Sequence, residues 1–218
     1  MSITDTVRFL DRAVDPSDHS LGPVDSRLTL VEYGSYACPS CRMASEEISR
    51  LRDQFSERLR YVFRQRPLKN NPLARRAAEL AECAPDEERF WRVHEQLMSR
   101  SAMLTEEDLE AVAEELQLHT LSPDERAQRT AAACARVERD ERSSQASGVA
   151  FTPTFFINGQ RYDGAWDEYS LSEALLGSLG HRVHSAAVGF ASWSPSSALL
   201  LGLVTLVALV LSNTAAGP

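Results

Sequence analysis

Three observations predict an α/β domain. A short β-rich segment runs into a C-x-x-C pair at the start of a helical pattern, a long central block carries helical signals, and a hairpin signature follows that block. With 218 residues the chain can hold one core of ordinary size, or one domain with an appendage.

Residues 1–27 read as a short helix or arm that leads into the turn-forming run His19-Ser20-Leu21-Gly22-Pro23. Leu28 to Tyr33 is rich in β-formers and reads as a buried strand interrupted only by Glu32. After Cys38-Pro39-Ser40-Cys41, the residues Met43, Ile48, Leu51 and Phe55 are spaced for one helical face. Leu59 to Arg64 alternates as a second strand, and Pro67 ends it.

From Pro72 to about Ala146 the signals are helical. Thr105-x-x-Asp108 and Ser122-Pro123-Asp124-Glu125 predict helix starts with capping boxes, the second with proline at the first helical position. Gly148 ends the block. Phe151 to Ile157 reads as a strand, Asn158-Gly159 as a two-residue hairpin turn, Gln160-Arg161-Tyr162 as the returning strand, and Asp167 to Leu179 as a last helix. The predicted order is strand, helix, strand, helical block, hairpin, helix.

The C-x-x-C pair at a helix start is an arrangement for making a reactive thiolate. Unpaired N–H groups and the positive end of the helix dipole stabilise S⁻ on the first cysteine. One turn on, the second sulfur is within reach for a small-ring disulfide. Cys38 is thus the expected nucleophile, partly exposed, and Cys41 the buried resolving thiol. The alternative is half of a structural zinc site, but zinc needs four ligands. Cys83 and Cys134 are isolated and His181-x-x-His184 is distant, so no metal is expected.

Val31-Glu32-Tyr33-Gly34-Ser35-Tyr36-Ala37-Cys38-Pro39-Ser40-Cys41, together with Phe151-Thr152-Pro153-Thr154-Phe155-Phe156-Ile157-Asn158-Gly159, resembles the DsbA-type thioredoxin family. His19 to Pro23 and Phe90-Trp91-Arg92-Val93-His94 also match its pattern, so the resemblance covers about residues 19–180. It implies a thioredoxin fold with a helical insertion, at about 70–147, between the second strand and the cis-proline strand. It also implies thiol–disulfide exchange with protein or peptide disulfides and with a redox partner that the sequence does not identify. No cofactor is expected.

Pro153 on its own reads either as a trans proline opening an edge strand or as a cis proline; the resemblance implies cis, with Thr152 and Pro153 presenting backbone to a substrate chain beside Cys38. Glu32 reads either as solvent-facing at a strand edge or as a buried carboxylate with a raised pKa, and the resemblance implies the second, exchanging protons with Cys41. Pro39 and Ser40 lie between the cysteines, where the family tunes its potential. Many strongly oxidising members have His where this chain has Ser40, and a neutral Ser stabilises a thiolate less than an imidazolium would. That shifts the expectation from disulfide donor toward reductase or sensor.

Cys83 and Cys134 read as small packed helix residues or, alternatively, a second redox pair; His94 reads as a packed helix histidine.

The charge is unevenly spread. A net charge of −8 excludes a general nucleic-acid binder. From Val183 to Pro218 there is no Lys, Arg, Asp or Glu. Ala198 to Leu211 is apolar on all sides and, with its flanks, reaches the lower limit of ~17–25 residues for a bilayer span. The expected organisation is an arm over 1–20, a DsbA-like domain over 21–180, a linker over 181–195, a transmembrane helix over 196–213 and a tail over 214–218. The arm lacks the pattern of a secretory signal, and Arg161 and Arg182 precede the span, so a membrane-anchored chain with its redox domain in the cytoplasm is expected. Leu199 to Pro218 also resembles the first transmembrane helix of NhaA-type sodium/proton antiporters. The functional expectation is a thiol–disulfide oxidoreductase, and the alternative is a membrane-anchored redox sensor or regulatory module. A glutathione-dependent transferase fits less well, because it would not need Cys41.

Overall fold

The computed structural model describes residues 8–178. The expected span over 196–213 and the linker before it lie outside the described residues. Among the described residues no helix is long and apolar enough to cross a membrane.

Five strands form one mixed sheet: β1 (His19–Leu21), β2 (Leu28–Gly34), β3 (Leu59–Gln65), β4 (Thr154–Ile157) and β5 (Gln160–Tyr162), in the order β1-β3-β2-β4-β5. The central pair β2–β3 is parallel, with Leu30 opposite Tyr61 and Glu32 opposite Phe63; the other pairings are antiparallel. The parallel pair requires a crossover, and α1 (Pro39–Phe55) supplies it. Asn158 and Gly159, both at positive φ, close the β4–β5 hairpin as expected.

Helices α2 (Pro72–Ala81), α3 (Glu87–Arg100), α4 (Glu106–Glu115) and α5 (Pro123–Ala146) fill the interval between β3 and β4, and the last helix among the described residues, α6, covers 168–178. Both expected capping boxes are formed, Thr105 with Asp108 and Ser122 with Glu125. The described part of the N-terminal arm, 8–18, is not helical; it is tied down by a bridge between Phe9 and Gln160 and leads into β1. A three-residue strand leaves too little alternation to be read locally, and its pairing partner lies some forty residues on. Gly22, at φ +92°, follows β1 so closely over β3 that a Cβ would fall 2.1 Å from the Leu59 carbonyl oxygen, so only glycine fits there.

The face of α1 differs from the expected one. Cys41, Ala44, Ile48, Leu51 and Phe55 form the buried stripe, whereas Met43 is 51% exposed. The spacing 3, 4, 3, 4 starting at Cys41 follows the helical repeat, and Met43 falls roughly 200° further round than Cys41. The stripe thereby points the second cysteine into the core.

Candidate active site

Strand β2 ends at Gly34, and residues 35–37 turn the chain into α1. Cys38 occupies the N-cap of α1 in an extended conformation, with Pro39 as the first helical residue. Pro39 has no N–H to leave unsatisfied there, and its fixed φ suits a helix start. Cys41 lies one turn on and is fully buried. All four cysteines are free thiols, so this is the dithiol form.

Cys38 is 6% exposed, more covered than the expected partly exposed nucleophile. The chain segment before β4 covers it: the Thr152–Pro153 peptide is cis, and the Cys38 thiol donates to the Thr152 carbonyl at 3.3 Å. The Cys38 carbonyl is held from the other side by the Ser101 hydroxyl, which donates at 2.8 Å from the turn after α3. The loop before the helix is braced by Ser35, whose Oγ accepts from the backbone N–H groups of Ala37 and Leu68.

The two thiols are driven apart in acidity. A hydrogen bond from Cys41 draws the Cys38 pKa down to about 6 against the cost of burial, helped by Thr152 and by the N–H groups of Cys41 and Ser40 at the helix start. Burial pushes Cys41 far above the ordinary thiol range, reinforced by its bond to Cys38 and by the negative charge of Glu32.

Glu32 is in the centre of the sheet on β2 and is 1% exposed, so of the two readings of this residue the buried one describes it. Burial raises its pKa to about 8, with a smaller upward push from the Cys38 charge. Among the described residues its hydrogen-bond partner is Tyr61 on β3, whose hydroxyl donates to Oε2 at 2.7 Å; Oε1 is buried without a partner. Gly34 allows this carboxylate its place, because a Cβ there would meet Glu32 Oε1 at 2.9 Å and the Phe63 ring at 2.4 Å.

The sequence pattern singled out Cys38, Cys41, Glu32, Pro39, Ser40, Thr152 and Pro153, and the fold brings them to one end of the sheet. It did not single out Tyr61 or Ser101. Tyr61 had a signal in the alternation of β3, which puts it on the face of β3 that Phe63 also occupies, but only the β2–β3 register sets it against Glu32. Ser101, more than sixty residues from Cys38, had none.

His94 is packed among Tyr36, Phe63 and Trp91, and burial drives its pKa down to about 3, so it is neutral. Cys83 is buried in the turn just past α2, not within a helix, and burial lifts its pKa to about 11; Cys134, on α5, is half-buried. Among the described residues no group of three or more His, Cys, Asp or Glu is placed to hold a metal ion.

A family model described as Thioredoxin matches residues 15–176. Among solved structures, a thioredoxin-like oxidoreductase from Silicibacter pomeroyi superposes with a TM-score of 0.64 at 24% identity, covering 76% of this chain and 94% of that one. BdbD from Bacillus subtilis gives 0.63 at 23% identity, over 75% and 93% of the two chains. The curated relatives carry a different name. An Na(+)/H(+) antiporter NhaA from Nitrosospira multiformis is 53% identical over 210 residues, 96% of this chain but 34% of the relative. The chain thus spans about a third of the length of that relative. The similarity to an antiporter therefore extends far beyond the C-terminal segment that first suggested it. Match, superposition and site geometry agree: the chain belongs to the thioredoxin family and has the DsbA-type thioredoxin fold.

Proposed function

We propose that the chain is a thiol–disulfide oxidoreductase in which Cys38 and Cys41 exchange electrons with disulfides of proteins or peptides. The observation that carries this reading is the opposed acidity of two thiols one helical turn apart, above a buried carboxylate. The Cys38 thiolate attacks one sulfur of the client disulfide; a new S–S bond forms and the other client sulfur leaves as a thiolate. That step consumes the negative charge on Cys38, which had helped to hold the Glu32 proton in place. Glu32 therefore ionises more readily once the mixed disulfide exists, and it becomes the base that takes the proton from Cys41. The Cys41 thiolate attacks Cys38 Sγ, the client departs with both sulfurs reduced, and the chain keeps the Cys38–Cys41 disulfide. Every step runs equally in reverse. Thr152 and Pro153 are the proposed backbone contact for the client, and Pro39 and Ser40 the residues that set the potential.

Cys41→Ser should accumulate a covalent adduct with a disulfide client, and Cys38→Ser should form none. Release of product by Cys41→Ser at the wild-type rate would refute the two-thiol mechanism. The Cys38–Cys41 potential then gives the direction: a value near about −120 mV marks an oxidant and one near about −270 mV a reductant.

A second reading is favoured by the antiporter relative. There the domain would serve as a redox-responsive module held at a membrane by the apolar segment 196–213, its disulfide state acting on a membrane partner. Slow turnover of all soluble disulfides, together with recovery of the chain in the membrane fraction after alkaline carbonate washing, would favour this module over the enzyme.

A further inference from the structure

Beside the dithiol lies a cavity of about 220 Å³ between the loop that follows β3, 66–69, and the segment 150–152 that leads into the cis-proline. Thr152 belongs to its wall and is also the residue whose carbonyl accepts the Cys38 thiol proton, so the cavity adjoins the reacting sulfur. Phe151, 63% exposed, forms another part of the wall. The charged groups lining it are Arg66 and Lys69, with no carboxylate among the lining residues. This is an unusual composition in a chain of net charge −8.

Neither cation is neutralised by a neighbour. Among the described residues Arg66 and Lys69 have no ion pair, and Arg66 Nε is buried without a hydrogen-bond partner. The adjoining cavity, which shares Lys69, does contain Glu79 and Glu141, but both are paired with Arg75 at 2.7 and 2.8 Å. A half-buried guanidinium with a desolvated nitrogen needs an acceptor, and a carboxylate is the acceptor that matches its charge and fork geometry.

We propose that this cavity is a specificity subsite that receives an acidic side chain of a polypeptide substrate, next to the cysteine whose disulfide is exchanged. The proposal rests on the oxidoreductase reading above and adds the class of substrate: extended peptide disulfides with Asp or Glu near the reacting cysteine. The aromatic wall at Phe151 covers the stem of that side chain while Arg66 and Lys69 take its carboxylate.

The test uses the pre-reduced 218-residue chain in nonionic detergent and three short peptides, each with one cysteine blocked by thionitrobenzoate and flanked by Glu, Gln or Lys. Cys38 attacks the peptide sulfur, the coloured thionitrobenzoate thiolate leaves, and Cys41 then releases the peptide thiol, so one equivalent of chain is oxidised per peptide reduced. The Glu peptide should react about tenfold faster than the Lys peptide at low salt, since attraction of one and repulsion of the other act together. Added salt should shrink that ratio. Lys69→Glu should bring the ratio to one or below, whereas Arg92→Glu, a charge reversal of equal size outside the cavity, should leave it unchanged.

Equal rates for the Glu and Lys peptides, with brisk reaction of the Gln peptide, overturn the subsite and leave the oxidoreductase reading standing. Failure of all three peptides to react overturns both. Oxidised glutathione, run in parallel, carries carboxylates without an extended chain. If it outpaces the Glu peptide and only its rate falls in Lys69→Glu, the cavity recognises a small disulfide and the peptide assignment is wrong.

Discussion

Tyr61 donates its hydroxyl proton to Glu32 Oε2 at 2.7 Å, and the second oxygen of that carboxylate is buried without a partner. A buried carboxylate held by a single hydrogen bond depends heavily on it. The bond favours the ionised form and so restrains the upward shift that burial imposes on Glu32. Tyr61→Phe keeps the ring against Trp91 and removes only the hydroxyl. The pH profile for resolution of a mixed disulfide on Cys38 should then move upward by about one pH unit, the worth of one hydrogen bond to a charged group. A profile that does not move would mean that Glu32 is not the base for Cys41.

Glu32 should also govern how stability varies with pH. Its folded pKa, about 8, lies above the ordinary value of 4.5, so the native state holds a proton that the unfolded state loses first. The favourable contribution is complete below about 4.5 and declines as pH rises to about 8. Glu32→Gln removes this decline. Urea denaturation of the reduced proteins should show little difference near pH 4 and a gain for Glu32→Gln at pH 9 of up to about 5 kcal/mol. A difference that does not depend on pH would place the carboxylate in solvent.

Alkylation with iodoacetamide, read by mass spectrometry, should label Cys38 with a rate that rises through pH about 6 while Cys41 remains unmodified at neutral pH. Replacing Cys41 by Ala removes the hydrogen bond that contributes most to this acidity. The Cys38 profile should then shift toward the ordinary thiol range, and an unchanged profile would assign the acidity to the helix start alone.

Arg64 and Asp18 form an ion pair at 2.9 Å with both side chains almost wholly buried, joined by Arg12, and this ties the N-terminal arm to β3. Asp18→Ala leaves a buried guanidinium without its carboxylate and should cost about 3–5 kcal/mol in chemical denaturation. The double variant Asp18→Ala/Arg64→Met should recover much of that loss. Burial opposes the ionised Asp18, yet the bonds from Arg64 and Arg12 prevail and its pKa is lowered. The stability it supplies is therefore present above the ordinary aspartate value and lost as pH falls through the lower folded one.

What could be read from residues alone followed from local physics. Capping boxes at Thr105 and Ser122, the Asn158-Gly159 turn and a cysteine pair opening a helix act within a few residues of chain, so the order of elements from β2 onward was legible before any contact was known. The α/β class followed from that order, and the thioredoxin fold from its resemblance to a family. The tertiary structure decided everything that depends on register and approach. The edge strand at His19–Leu21 exists because β3 offers it a partner, and Met43 faces outward because the buried stripe begins at Cys41. Glu32 is buried because β2 is central, and Tyr61 reaches it because Leu30 pairs with Tyr61. Ser101 and the Arg66–Lys69 cavity meet Cys38 and Thr152 across long stretches of chain. Side chains brought together by strand pairing and helix packing leave no spacing in the sequence to betray them, because those contacts are set by the whole core and not by their neighbours in the chain.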